Sequence, residues 1–154
     1  MCPVNQKSGF TIMELMVVIG IIAVLAAIAV PSFIGWLPAR RLEAAAIDVN
    51  TAIRVARLSA VKKNTSAILQ FDVNDEGYVI TAAGRSVKRG TMPAGVDLKD
   101  VLLSNQSTPA PGGLIMFDSR GFPAPPVDIV VQNTSGATRT IQVNLTGGSR
   151  IIRD

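Results

Sequence analysis

An uncharged apolar run of 23 residues, from Leu15 to Leu37, is the sequence feature that most constrains the fold of this chain. Because a helix rises about 1.5 Å per residue, about 20 such residues cross the hydrocarbon core of a bilayer. The apolar core of a secretory signal peptide is shorter, at about 7–15 residues. The run therefore predicts a membrane-spanning helix, and a plain N-terminal anchor is its simplest interpretation.

A single carboxylate, Glu14, stands at the start of this run, and a plain anchor does not explain it. An unpaired charge in the membrane costs about 3 kcal/mol on insertion scales. The residues leave two interpretations open. Either the Glu14 side chain extends to the membrane interface, or it pairs with a cation in the low-dielectric interior.

The composition excludes several kinds of catalytic and metal site. The chain has no histidine and one cysteine, Cys2. This removes histidine acid–base catalysis, histidine-activated nucleophiles, intrachain disulfides, and metal sites built from histidine or clustered cysteine. The sequence also contains no Walker A motif, no dinucleotide-binding glycine motif and no positioned catalytic dyad. We therefore predict that the protein is not an enzyme and has neither a cofactor nor a metal site.

A helical pattern continues after the membrane segment, between Ala39 and Asn64. Six apolar residues recur at alternating spacings of four and three, which is typical of an amphipathic helix: Leu42, Ala46, Val49, Ile53, Ala56 and Ala60. Pro38 predicts a break or kink between the two helical halves. The stripe favours packing on a sheet of the same chain, with a coiled-coil seam as the alternative.

Short strand patterns separated by turn signals fill the rest of the chain. Eight strands are predicted: Ser66–Val73, Tyr78–Ala82, Ser86–Arg89, Val101–Leu103, Leu114–Asp118, Val127–Gln132, Thr138–Asn144 and Arg150–Arg153. The segment Asp72–Gly77 begins like an EF-hand loop, but Ala83 stands where the loop needs glutamate, so we predict a hairpin turn. The predicted fold class is α+β, with a long N-terminal helix packed on a small antiparallel β-sheet body.

The octapeptide from Gly9 to Met16, GFTIMELM, follows a short leader and precedes the apolar run. This arrangement resembles the class III signal of type IV pilins and pseudopilins. The resemblance implies that a prepilin peptidase cuts after Gly9 and N-methylates Phe10. It also implies that Glu14 is the assembly residue and that Pro31 is the proline that kinks the helix. A new amine at Phe10 lies one helical turn from Glu14, and in a staggered stack Glu14 can meet the amine of a neighbouring subunit.

The remainder resembles the H-type minor pseudopilins of the GspH/FimT family. The resemblance rests on the helical segment 39–64, on the Phe117–Gly121 turn, and on a final strand in which arginine follows glycine. It implies four segments, which are a cleaved leader (1–9), a transmembrane and assembly helix (10–37), an amphipathic helix (38–64) and a β-rich body (65–154).

The resemblance also implies a function and a location. The chain would be a structural minor subunit, priming or tip-proximal, of a type II secretion pseudopilus or a type IV pilus. It would cross the inner membrane once, with its C-terminal body in the periplasm, and reach the cell surface in the assembled filament. Its partners would be other pilin or pseudopilin subunits and the prepilin peptidase.

DNA uptake is the alternative function. Two basic clusters are candidates for contacting phosphates, and they comprise Arg85, Lys88, Arg89, Arg150 and Arg153. Phosphate binding needs several cations that converge on one face. Arg150 and Arg153 are three residues apart, so in a strand their side chains point to opposite faces. Alternatively, the basic residues are solvated charges of a turn and of the C-terminus and have no binding function.

Overall fold

The computed structural model describes residues 10–72, 74–104, 108–110 and 113–153, with only the backbone given for residues 31–34. The predicted leader, with Cys2, Lys7 and Gly9, lies outside the described residues. The chain divides into two compact units, of which the first ends at Leu37 and the second begins at Pro38.

One long helix, α1, runs from Ile12 to Lys63. Thr11 begins it, since its Oγ1 accepts a hydrogen bond of 3.2 Å from the Glu14 backbone N–H, as an N-cap residue does. At the other end Asn64 has a φ of +47°. The Thr65 N–H donates to the Ala60 carbonyl over 3.1 Å, which closes the last turn.

Within α1, the segment Ile12–Val30 is long and apolar enough to cross a membrane. None of that segment is buried by other described parts of the chain. Exposed leucine, isoleucine and valine side chains at this density are expected for a lipid-facing helix. A signal sequence near an N-terminus can also satisfy a criterion of length and hydropathy, so the assignment depends also on Glu14 and its context.

Pro38 lies inside α1, so the expected break of the helix is wrong, whereas the expected kink stays a prediction. Proline removes one intrahelical hydrogen bond. Since the next turns bury Leu42, Ala45 and Ala46, packing of the following segment compensates for the lost bond.

Nine strands follow α1. They are β1 (Ala67–Asp72), β2 (Gly77–Ala82), β3 (Arg85–Thr91), β4 (Val96–Leu103), β5 (Leu114–Phe117), β6 (Pro123–Ala124), β7 (Val127–Asn133), β8 (Thr138–Val143) and β9 (Ser149–Arg153). They form two antiparallel sheets, in the orders β3-β2-β1-β5-β6 and β4-β7-β8-β9. The predicted α+β class, a long helix with an antiparallel β body, is confirmed.

Each predicted strand overlaps an observed strand, and the differences have local causes. Strand β4 begins at Val96, well before the predicted Val101. Its register with β7 shifts between Leu98 and Asp100. This bulge interrupts the alternation that marks a strand. Strand β6 was not predicted, since its two residues are too few to show a period.

The segment Asp72–Gly77 is a hairpin turn, as predicted, with Asp72 opposite Gly77 in the β1–β2 pair. The Asp72 Oδ1 atom accepts hydrogen bonds from the backbone N–H groups of Asn74 and Asp75, at 3.0 and 3.2 Å. The carboxylate therefore stabilises the turn itself. Val73 lies outside the described residues.

The six stripe residues of α1 are at most 1% exposed and belong to one core with both sheets. Inward residues of the strands alternate with outward ones, as in β7, where Val127, Ile129 and Val131 are buried. Packing of the stripe on the chain's own sheets is thus confirmed, and the coiled-coil alternative is not needed. Alanine at Ala45, Ala46, Ala52, Ala56 and Ala60 lets the strands approach the helix closely.

Candidate functional site

Glu14 lies in the first turn of α1, among exposed apolar side chains. Within the described residues its carboxylate takes part in no hydrogen bond or ion pair, and its backbone N–H donates to Thr11 Oγ1. Phe10 lies four residues earlier and is also exposed. Phe10 precedes the first residue of α1, so the one-turn spacing expected between its amine and the Glu14 carboxylate stays a prediction.

A carboxylate at the start of an apolar helix can bind a cation. In lipid it is strongly disfavoured alone and is stabilised by a cation within a few ångströms. Within the described residues no lysine or arginine forms such a pair with it. Gly9, the predicted cleavage residue, lies outside the described residues. The side chain of Pro31 is likewise not described, and the predicted kink stays a prediction.

A polar cluster fixes one flank of α1 to the first sheet. The Tyr78 hydroxyl donates to Asp48 Oδ2 over 2.7 Å, and Lys88 Nζ donates to Asp48 Oδ1 over 3.2 Å. Lys88 Nζ also lies 5.5 Å from the centre of the Tyr78 ring. We call this group the Asp48 flank. Burial raises the pKa of Tyr78, and Asp48 raises it further, whereas Lys88 lowers it.

A second cluster, the Glu43 flank, fixes the other side of α1 to the second sheet. Arg153 Nη2 donates to Glu43 Oε1 over 3.1 Å, and Arg139 Nε lies 3.5 Å from Glu43 Oε2 as an ion pair. About two helical turns further along α1, Ser149 donates to Asn50 through its hydroxyl. The Arg153 hydrogen bond, against an opposing effect of burial, lowers the pKa of Glu43 below its ordinary value.

The two flanks lie on different sides of the helix. Glu43 and Asn50 are seven residues apart, which is about two turns, so they share a side. Asp48 follows Glu43 by five residues, which places it about 140° around the helix axis. Strands β3 and β9 are edge strands of different sheets, and each meets its own flank of α1.

This arrangement separates the five basic residues considered for DNA binding. Arg85, Lys88 and Arg89 belong to β3, and Arg150 and Arg153 belong to β9. Lys88 and Arg153 are both paired with helix carboxylates. Arg150 donates to Gln142 Oε1 over 3.0 and 2.7 Å on the outer face of its sheet. The geometry therefore does not gather these five residues into one phosphate-binding face.

Another group of arginines, which the sequence pattern did not single out, lines a cleft of about 640 Å³. We call it the arginine cleft, and its lining comprises Arg54, Arg57, Leu58, Val61, Arg120, Gly147, Gly148 and Ser149. Three segments that are distant in sequence meet there, which are the end of α1, the Phe117–Gly121 turn and the turn between β8 and β9. In the sequence, the feature that comes nearest to indicating this cleft is the pair of turn glycines, Gly121 and Gly147.

Those glycines are required by close approach to α1. Gly121 has a φ of +84°, and a Cβ atom on it would lie 3.0 Å from Arg57 Nε. Gly147 has a φ of +76°, and a Cβ there would overlap the Gly121 carbonyl oxygen first and would lie 3.1 Å from Arg57 Nε. The Arg57 Nη1 atom donates to the Gly147 carbonyl over 3.2 Å. Both turns are thus held against the helix by glycine and by one arginine.

Among the described residues, no group of three histidine, cysteine, aspartate or glutamate side chains could hold a metal ion.

Two protein-family models match the chain. The model described as type II transport protein GspH matches residues 45–147, which is more than half of the chain. The chain belongs to the GspH family. The prokaryotic N-terminal methylation motif matches residues 4–30, which includes Gly9, Phe10 and Glu14. Proteins of the GspH family are pseudopilins, which are structural subunits and not enzymes.

Individual relatives agree with this membership. The pilin-like protein PilA1 of Thermus thermophilus is 30% identical over 156 residues, covering 94% of this chain and 98% of that protein. The minor pseudopilin EpsH of the Vibrio cholerae type II secretion system matches with a TM-score of 0.60 and 13% identity over 74% of this chain and 94% of the EpsH chain. The type IV minor pilin FimU of Pseudomonas aeruginosa matches with a TM-score of 0.54 and 17% identity over 75% of this chain and 89% of its own. These structures share the fold of our chain.

We expect Glu43→Gln to lower the free energy of unfolding of residues 38–154 near neutral pH by about 1 kcal/mol. All described core residues lie between Leu42 and Val143, so this unit carries its own core. Because the pKa of Glu43 is lowered in the folded state, its contribution is present above the ordinary value of 4.5 and is lost as pH falls through the lowered value. Urea unfolding at neutral pH and at about pH 3 measures this.

The matched control is Glu76→Gln. Asp97 raises the pKa of Glu76, so the charge of Glu76 does not stabilise the fold near neutral pH. We expect no loss of stability from the control at neutral pH. A Glu43→Gln effect of equal size at both pH values would contradict the ion-pair assignment.

Tyr78 is the only tyrosine of the chain, so the absorbance of tyrosinate during alkaline titration reports on it alone. We expect its pKa in residues 38–154 to lie above the ordinary value of 10.0, because the phenol is desolvated and hydrogen-bonded to Asp48. Asp48→Asn should lower this pKa, since it removes the carboxylate, and Lys88→Met should raise it further. An unchanged pKa in Asp48→Asn would show that the hydrogen bond to Asp48 is not formed.

Proposed function

We propose that this chain is a minor subunit of a type II secretion pseudopilus or a type IV pilus, in a priming or tip-proximal position. In this proposal, prepilin peptidase cuts after Gly9 and N-methylates Phe10. Residues 10–37 then hold the subunit in the inner membrane, residues 38–64 continue as the amphipathic helix, and residues 65–154 form the body in the periplasm. After assembly the body belongs to a cell-surface filament.

The observation that carries the proposal is the isolated carboxylate of Glu14 in the first turn of an apolar helix. Membrane helices exclude such a charge unless it has a function or a partner. A free amine at Phe10, on the same chain or on a neighbour, is the nearest cation that processing would create. The match of the methylation motif to residues 4–30 supports this reading.

Pairing between subunits would also set the axial position of each new subunit. In coiled coils a buried polar residue fixes register, because every other register leaves a polar group unsatisfied. Glu14 would act in the same way between staggered helices, and it would meet the Phe10 amine of the neighbour at one offset only. A kink at Pro31 would adjust the path of the helix during this packing.

The minor position is supported by two observations. The solved structures that share the fold are a minor pseudopilin and a minor pilin by name. In addition, cleavage after Gly9 would remove Cys2, so the mature chain would have no cysteine. A major pilin whose C-terminal loop is closed by a disulfide is excluded on that ground.

We expect Glu14→Ala and Glu14→Gln to leave membrane insertion intact and to lower incorporation into the filament by about tenfold or more, because breaking a buried charge pair costs about 3–5 kcal/mol. The measurement is the amount of subunit in sheared filaments or in cross-linked pseudopilus complexes, relative to the amount in membranes. Glu76→Gln makes the same chemical change on an exposed turn and should be incorporated normally. Normal incorporation of Glu14→Gln would refute pairing through the Glu14 charge.

A further inference from the structure

The arginine cleft combines positive charge with exposed apolar surface on one face of α1. Arg54, Arg57, Leu58 and Val61 have the spacing three, one and three, so they project from one side of the helix. This side follows the buried stripe by one residue, since Ile53, Ala56 and Ala60 face the core. Leu58 is 66% exposed and Val61 is 47% exposed.

The charge of the cleft is not neutralised within the described part of the chain. No carboxylate lines it. The side chains of Arg54 and Arg120 take part in no hydrogen bond or ion pair there, and Arg57 has one bond, to the Gly147 carbonyl. Asp118, the nearest acidic residue in sequence, uses Oδ1 to accept from the backbone N–H groups of Arg120 and Phe122, at 2.9 and 2.8 Å. Three like charges at one place repel each other, and an external anion would relieve this.

The backbone around the cleft is fixed in place. Phe117 is fully buried and anchors the turn that carries Arg120. The turn between β8 and β9 is closed by Asn144, whose Oδ1 accepts from the Gly148 N–H over 2.8 Å. A cleft with ordered walls loses little entropy when a partner binds, which favours specific recognition.

We propose that the arginine cleft is the docking site for a carboxylate-bearing segment of another pilin-like subunit, and this rests on the proposed function. Guanidinium groups bind carboxylates through two parallel hydrogen bonds. Leu58 and Val61 add an apolar contact next to the charges, and arginine is enriched at protein interfaces. The partner segment therefore carries an aspartate or glutamate close to an apolar residue.

A nucleic acid fits the cleft less well. Its lining contains no aromatic side chain on which a base could stack. The exposed Leu58 and Val61 side chains would face the solvated phosphate backbone and gain nothing from it. A protein segment uses both parts of the surface.

The test places a photo-reactive benzoylphenylalanine at Leu58 in the full-length chain, expressed in its native host with the filament machinery. Irradiation should join it covalently to a different pilin-like subunit, which mass spectrometry identifies. Arg54→Glu combined with Arg120→Glu should lower the yield of this product by about tenfold or more, because it reverses both unpaired charges. Lys99→Glu, a single charge reversal on an exposed residue of β4, should leave the yield unchanged.

The outcomes separate the docking site from the proposed function. A product with nucleic acid, with lipid or with a second copy of this chain overturns the proposal, as does no product, or a product insensitive to the double reversal. The Glu14 variants report on assembly through the membrane helix and do not touch the cleft. If they lose incorporation while Leu58 forms no product with another subunit, the filament function stands and the cleft proposal fails. A carboxylate-to-arginine change in the identified partner should restore the product with the double reversal.

Discussion

Burial of the alanine-rich stripe of α1 is the constraint on which the rest of the body depends. Two sheets of five and four strands place their inward residues on this single helical surface. Small side chains at Ala46, Ala52 and Ala56 keep the helix close enough for both sheets to share one core. A body of this size buries a modest area by itself, and the helix completes it.

Polar contacts at the edges of this interface determine which charges remain available to partners. Asp48 engages Lys88 of β3, and Glu43 engages Arg139 and Arg153 of the second sheet. Such half-exposed pairs contribute little stability each, but they direct the edge strands onto the two flanks of α1. The chain has a net charge of +4, but these basic side chains are engaged by carboxylates of α1 and are not available to a partner. The arginine cleft at the end of α1 differs, because Arg54 of the helix and Arg120 of the adjacent turn have no such partners in the described part of the chain.

Much of the fold could be predicted because its signals are local. The spacing from Leu42 to Ala60 and the alternation in β7 are visible within a few residues, and both appear in the structure. The early start of β4 was missed because a bulge at Leu98–Asp100 removes the alternation. The arginine cleft was missed for a different reason. Arg57, Arg120 and Gly147 are far apart in sequence, and only the tertiary approach of two turns to the helix brings them together.

The sequence also could not predict that Lys88 pairs with Asp48 and Arg153 with Glu43. A basic cluster has the same appearance in a sequence whether it is free or paired across the fold. The N-terminal motif is the opposite case, since its residues are contiguous and the family match includes them. Membership of the GspH family thus follows from the sequence, whereas the surface that a partner would contact follows from the structure.

The central claim is that this chain becomes a filament subunit through processing at its N-terminus. The most direct test is the intact mass and N-terminal peptide of the protein extracted from the membranes of its native host. We expect a chain that starts at N-methylated Phe10 and lacks residues 1–9. A chain that still begins at Met1, without methylation, would contradict it, because Glu14 would then have no nearby amine and the segment would be an ordinary anchor.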